Sequence, residues 1–184
     1  MKVRTVAIVI AVMAGGAQGV AAQGRLSLNI AGGLSIPQGA LRDRAYNGWH
    51  GLAMVNLSSP MQPMGVRFDL AYNRFGFDDS YAATVGSGHQ STTSATLNFT
   101  YRVPTYDAPF SPYLLAGLGA YRTECSAATG CNAATRYGWN FGLGTNLYVL
   151  GFRSFVEARY HLTKFHGTPV HYFPLTFGVS LGGH

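Results

Sequence analysis

Residues 95–103 read Ala-Thr-Leu-Asn-Phe-Thr-Tyr-Arg-Val. Ala95, Leu97, Phe99, Tyr101 and Val103 alternate with Thr96, Asn98, Thr100 and Arg102. Successive side chains of a strand point to opposite faces, so this stretch is a strand with one apolar side and one polar side. Seven other segments carry the same period of two. Residues 25–36 put Leu26, Leu28 and Ile30 on one face, and residues 49–58 set Trp49, Ala53, Val55 and Leu57 against His50, Met54, Asn56 and Ser58. Residues 65–75 set Val66, Phe68, Leu70 and Tyr72 against Arg67, Asp69 and Asn73. Residues 112–122 are rich in glycine, and Tyr113, Leu115 and Tyr121 are placed on their outer face. Residues 136–148, 152–162 and 172–182 complete the set, with Glu157 and Arg159 on the polar side of the seventh.

Eight such segments, an even number, close into an antiparallel barrel. The connections test this independently. Those after the odd-numbered segments are long (37–48, 76–90, 123–135 and 163–171), whereas those after the even-numbered ones are shorter (59–64, 104–111 and 149–151). Alternation of long loops and short turns, with segments of about 10 residues, is the pattern of transmembrane β-barrels. Pro60, Pro63, Pro104, Pro109 and Pro112 fall in or beside the short connections, where no ladder donor is needed.

Composition decides which way the apolar face points. The chain has 184 residues, 47% hydrophobic, 13% aromatic and 11% charged, where a soluble protein averages about 25% charged. Its only lysines are Lys2 and Lys164. A soluble barrel would carry Lys and Glu outside; here the polar faces hold Thr, Asn, Ser, Gly and a few arginines, which suits a crowded polar interior with the apolar face in lipid. Tyr72, Phe75, Tyr101, Tyr113, Tyr121, Tyr137, Trp139, Tyr148, Phe152 and Tyr160 lie near strand ends, the expected position of interfacial girdles. The expected fold is all-β: a closed eight-stranded antiparallel up-and-down transmembrane β-barrel. The net charge of +6 comes mostly from arginines scattered singly, not from the contiguous basic stripe that binds nucleic acid.

Residues 1–22 read as a cleavable secretory leader: Lys2 and Arg4, an apolar run from Val6 to Ala14, and Val20-Ala21-Ala22 before Gln23. The apolar run is too short to span a bilayer, which takes roughly 20 residues. Residues 23–184 then form the barrel domain.

The polar faces gather Arg67, Asp69, Arg102, Glu157 and Arg159, with Arg136 as a further candidate. Charges in a narrow barrel must be paired, since an isolated buried charge costs several kcal/mol. Two readings follow: a structural network that plugs the lumen, or a gated ion path or ligand site. Eight strands leave an interior just wide enough for side chains, which argues against a wide pore. Cys125 and Cys131 enclose five residues of the third long loop, and an exported pair at that spacing is expected to form a disulfide. His161, His166 and His171 recur at intervals of five, which suits neither one strand face nor one helix face and favours isolated polar histidines over a metal or proton-linked site, and Asp78-Asp79 reads as a solvated loop tip rather than a weak divalent-cation site. No metal site or cofactor is expected. Gly117-Leu118-Gly119 and Gly142-Leu143-Gly144 lack the third glycine of a dinucleotide motif, and there is no Gly-x-Ser-x-Gly elbow.

With these strands and Val156-Glu157-Ala158-Arg159-Tyr160-His161 in place, the chain resembles the small eight-stranded outer-membrane β-barrel proteins, the group of OmpA-like, OmpX-like and opacity-type barrels. Members usually end on an aromatic residue, whereas this chain ends Leu181-Gly182-Gly183-His184. The resemblance implies a Gram-negative outer membrane, a lipid environment and insertion by the barrel-assembly machinery. Some barrels of this size modify lipid A. The deacylase type carries a His followed two residues later by Ser and then an acid, but here Leu162-Thr163 follow His161 and no Asp or Glu comes after Glu157. The expected function is therefore non-enzymatic: a barrel presenting external loops to an extracellular ligand or serving a structural role, with a narrow gated channel as the second class.

Overall fold

The alternation of residues 95–103 belongs to a longer strand that begins at His89. The computed structural model describes residues 25–59, 61–105, 109–126, 133–163 and 170–181. They form β1 (Arg25–Gln38), β2 (Gly48–Ser58), β3 (Met64–Gly76), β4 (His89–Arg102), β5 (Phe110–Ser126), β6 (Ala134–Val149), β7 (Phe152–Thr163) and β8 (Val170–Leu181). Each strand pairs antiparallel with the next, and β1 pairs with β8 from Leu28↔Leu181 to Gln38↔His171, closing the barrel. Closure leaves no sheet edge to satisfy. No helix among the described residues is long and apolar enough to cross a membrane, which says nothing of crossing by strands.

The early start of β4 has a simple cause. Gln90–Ser94 carries little apolar signal, yet Thr92 and Ser94 are buried inside the barrel while Thr93 stands exposed on its outside. A strand whose two faces meet a polar lumen and a polar boundary layer shows no hydrophobic alternation. At the opposite end the connection from β6 to β7 is only Leu150–Gly151, with φ of 50° and 83°. Two residues at positive φ form the hairpin turn whose twist matches the flanking strands.

The outer surface is apolar: Leu28, Phe99, Leu118, Phe141 and Phe177 are each about half exposed or more. The buried set is mostly polar, including Arg67, Asp69, Asn98, Asn140, Glu157 and Arg159. This inversion of a soluble protein matches the sequence pattern on seven strands and corrects it on β5. Tyr113, Leu115 and Tyr121 point inward and are buried, while Leu114, Ala116 and Leu118 face outward. Both faces of β5 are apolar, so its parity was undetermined by hydrophobicity alone. Glycines of β6 settle it. A methyl on Gly144 would meet the Tyr113 hydroxyl at 2.5 Å, and one on Gly138 would meet the Tyr121 ring at 3.0 Å. The two tyrosines thus lie over bare backbone. With Phe75, also fully buried, they drop out of the expected girdles; Trp49 and Tyr72 pack together outside, 5.7 Å between ring centres.

The long loops share one end of the barrel. The first two are built together. Gly39–Leu41 forms a single 3₁₀ turn, and residues 79–85 form a short helix, α1 (Asp79–Val85), within a segment expected to be irregular. Asp78 caps α1 through Ser80 N (3.0 Å). Ala45 bridges Phe77, Asp78 N donates to Arg44 O (2.9 Å), and the Arg44 guanidinium lies 5.7 Å from the Tyr81 ring centre.

Candidate functional site

Strands β3 and β7 bring four charges to the middle of the lumen. Arg67 and Asp69 are alternate residues of β3, and Glu157 and Arg159 are alternate residues of β7; all four point inward with exposures of 3%, 1%, 1% and 3%. Arg67 donates to Glu157 through Nη1 (2.7 Å) and Nη2 (3.1 Å), a bidentate pair, and its Nε lies 3.0 Å from Asp69. Arg159 donates to Asp69 through Nη1 (2.7 Å) and to Glu157 through Nε (2.9 Å) and Nη2. Each carboxylate thus touches both guanidiniums. The quartet is neutral and joins opposite walls of the barrel. Tyr113 of β5 donates to Glu157 (2.8 Å), and Asn98 of β4 donates to Asp69 (2.9 Å), so four strands converge on one layer. Charges this deeply buried repay their desolvation only with such multiple, well-directed bonds.

Arg102 does not join them, which corrects the expectation for it. On β4, Asn98 is the residue in register with Arg67; Arg102 is four residues further along, about 13 Å at strand rise. It stands exposed near the short-turn mouth. Arg136 lies in register with Tyr121, toward the long-loop end.

Above the quartet, toward the long loops, runs a layer that alternation alone did not reveal. His50 bonds Ser35 Oγ (3.0 Å) and Thr176 Oγ1 (2.9 Å), and Ser35 Oγ donates to Asn73 (2.8 Å). His161 bonds the Tyr121 hydroxyl (3.0 Å) and stacks on Tyr172, ring centres 4.7 Å apart and 4° from parallel. A cavity of about 10 Å³ touching His50, Asp69, Arg159 and His161 is room for about one water. Higher still, Leu41, Ala45, Phe75, Tyr121 and Tyr172 form a buried apolar cluster with Val170 packed against it. The first long loop supplies Leu41 and Ala45, so it folds into the mouth as a stopper. The signal that could have located this layer is the glycine spacing of β6, which turns the tyrosines of β5 inward.

Of the three spaced histidines, His161 faces the lumen and His171 the outside, where it bonds Tyr160 (2.8 Å); His166 lies outside the described residues. No group of metal-ligating side chains occurs among the described residues. Cys125 is near the end of β5, in register with Gln90; Cys131 lies outside the described residues, as does the expected leader.

A closed eight-stranded barrel with an apolar exterior, a neutral ionic core and an aromatic stopper defines an integral membrane barrel of the outer-membrane class. The sequence agrees: residues 7–182 match the family model of the outer membrane protein beta-barrel domain, and the chain belongs to that family. It is an outer-membrane protein. Among solved structures it is similar to Neisserial surface protein A (18% identity, TM-score 0.64, covering 85% of this chain and 96% of that one). It is also similar to Ail, the attachment invasion locus protein of Yersinia pestis (19%, TM-score 0.53, 86% and 99%). A third is the N-terminal β-barrel domain of Pseudomonas aeruginosa OprF (18%, TM-score 0.52, 86% and 100%). At these identities the likeness is one of fold. No curated protein matches the chain in sequence.

Proposed function

We propose that the barrel is a non-enzymatic scaffold whose long loops face the cell exterior and meet partners there. The observation that carries this reading is the double closure of the lumen, by the ionic quartet and by the aromatic cluster above it. A barrel blocked twice in series has little use as a conduit, and the gated-channel reading is weaker for the same reason. The first two loops support it too: the contacts among Arg44, Ala45, Phe77, Asp78 and Tyr81 hold them as one ordered platform rather than independent strands of chain.

The platform's chemistry narrows the partner. Ail has been solved in complex with the heparin analogue sucrose octasulfate. On this chain the described residues at and near the loop end carry Arg42, Arg44, Arg74, Arg122 and Arg136 against Asp43, Asp78, Asp79 and Glu124, a near balance. Such a surface favours a mixed-charge protein partner over a polyanion. We further propose that residues 1–22 are the export leader, that the assembly machinery inserts the barrel, and that Cys125 and Cys131 pair to brace the third loop.

Replacing residues 39–47, 79–85, 127–132 and 164–169 one at a time with Gly-Ser segments, in cells displaying the protein, tests the reading. At least one replacement should abolish whole-cell binding to host or matrix proteins while the barrel keeps its heat-modifiable migration. Unchanged binding by all four would overturn it. For the disulfide, maleimide should label the protein only after reduction; labelling without reductant would remove it.

A further inference from the structure

Below the quartet, on the side of the short turns, the lumen is hollow. It opens into a vestibule of about 510 Å³. Three strands send an arginine to its wall: Arg25 from β1, Arg102 from β4 and Arg153 from β7, with Arg67 of the quartet at its floor. Hydroxyl and amide groups of Ser27, Asn29, Asn56, Thr100, Ser111 and Asn146 fill the space between them. No carboxylate belongs to a described lining residue. The nearest ones along these strands, Asp69 and Glu157, are turned into the floor and engaged by Arg67 and Arg159.

The ion pairs of the described residues include neither Arg25 nor Arg102. Arg153 donates to the Tyr148 hydroxyl (2.9 Å). Asn29 is 95% buried on the wall, and its Oδ1 accepts no hydrogen bond. That oxygen is an acceptor, and the amide NH₂ is the group that Asn29 can offer an anion. Cationic groups of one sign in a low-dielectric concavity focus the field and concentrate counter-anions. In a chain this poor in charge, Arg25 and Arg102, which converge from separate strands with no carboxylate partner among the described residues, are the least expected use of charge in the molecule.

We propose that the vestibule is a binding site for a phosphate-bearing small molecule or headgroup, held between Arg25 and Arg102 with Asn29 and the wall hydroxyls as further donors. Guanidinium forks match phosphate oxygens bidentately, and the oxygens and double negative charge of one phosphate can serve two forks at once. The volume falls within the roughly 300–1,000 Å³ of small-ligand sites, larger than orthophosphate requires, which points to an organic phosphate or a diphosphate. The side chains face the lumen, so the group must enter through the mouth, as a free solute or as the head of a lipid reaching in from the adjacent leaflet. The site is independent of what the loops bind.

Calorimetric titration of the protein, purified from outer membranes into a zwitterionic detergent, tests this with two probes. Inorganic pyrophosphate represents the free solute; dihexanoyl-phosphatidylglycerol, below its micellar concentration, represents the headgroup. Saturable one-to-one binding of either probe, weakened at least tenfold in the R25Q/R102Q variant and unchanged in R122Q, is the expected result. Which probe binds identifies the source. Failure of both to saturate, or wild-type affinity in R25Q/R102Q, overturns the proposal. Both arginines are exposed, so the variant should retain heat-modifiable migration; should the double variant not fold, R102Q alone must show a measurable loss. The side-chain amide resonances of Asn29 must also shift on saturation.

Discussion

The two halves of the lumen are enclosed by the same eight strands, yet one is solid and the other hollow. On the long-loop side the inward residues include Phe75, Tyr121, His161 and Tyr172, all buried. On the short-turn side they include the small Ser27, Asn56, Thr100, Asn146 and Ser180, which leave the vestibule open. An eight-stranded interior is just wide enough for side chains to fill, so side-chain volume alone decides whether a given level is closed. The ionic quartet lies at the boundary. What the contrast teaches is that arginine has two roles in one lumen: Arg67 and Arg159 are structural because both carboxylates meet them, and Arg25 and Arg102 face open space because no carboxylate of the described residues does.

Breaking the boundary should have the largest effect. Glu157→Gln keeps the shape and removes one charge, leaving two buried guanidiniums with Asp69 alone. Removing one partner of a buried ion pair costs about 3–5 kcal/mol, read as a lower urea midpoint for the barrel folded in lipid vesicles. Planar-bilayer conductance should nevertheless stay at baseline, because the aromatic cluster is a second and independent closure; it should rise only when Phe75→Ala is added. A large conductance in Glu157→Gln alone would show that the quartet is the only gate.

Gly144→Ala approaches the same boundary from the wall. The new methyl would meet the Tyr113 hydroxyl at 2.5 Å and Val156 O at 2.8 Å, pushing Tyr113 off Glu157. Overpacking of this kind costs about 1–3 kcal/mol. Adding Tyr113→Phe should recover little of the loss, since the ring still collides; full recovery would mean that the hydroxyl alone is at fault.

Arg102→Gln is the counterpart on the hollow side. The residue is exposed, and substitutions at solvated positions shift stability by less than about 0.5 kcal/mol. An urea midpoint indistinguishable from wild type is expected, against a clear loss for Arg67→Gln. Equal losses in the two variants would erase the distinction between the halves.

Much of this plan is legible in the sequence, and the exceptions share one physical origin. The period of two placed Arg67, Asp69, Glu157 and Arg159 on inward faces because their neighbours Val66, Phe68, Val156 and Ala158 are apolar. It failed for β5, where Tyr113 and Leu114 are both apolar and only the cross-strand glycines of β6 distinguish inside from outside. It also grouped Arg102 with the quartet, since a face assignment says nothing about height along the barrel; height depends on register between strands. The hollow vestibule was invisible for the same reason. Its residues come from strands distant in sequence, and their common level is set by the stagger of a closed barrel. α1 was missed because its cap, Asp78, also reads as a loop residue.

The smallest effect concerns the solvated end, where a carboxylate works in a different way from the buried pair. Asp78 Oδ1 accepts from the Ser80 hydroxyl (2.5 Å) and from Ser80 N (3.0 Å), and these bonds hold its carboxyl below the ordinary carboxylate range. A group whose folded value is depressed contributes fully above its unfolded value and loses that contribution as pH falls through the depressed one. The cap on α1 should therefore be complete at neutral pH and weaken only in acid, with the Ser80 amide resonance moving toward its unfolded position. In Asp78→Asn the side-chain oxygen still caps, since Asn and Asp are comparable there, but nothing titrates, so the Ser80 resonance should stay fixed over the same range. A variant that titrates as the wild type does would place the acid-sensitive group elsewhere, with Asp79, which accepts from the Tyr46 hydroxyl at 3.1 Å, the next to replace.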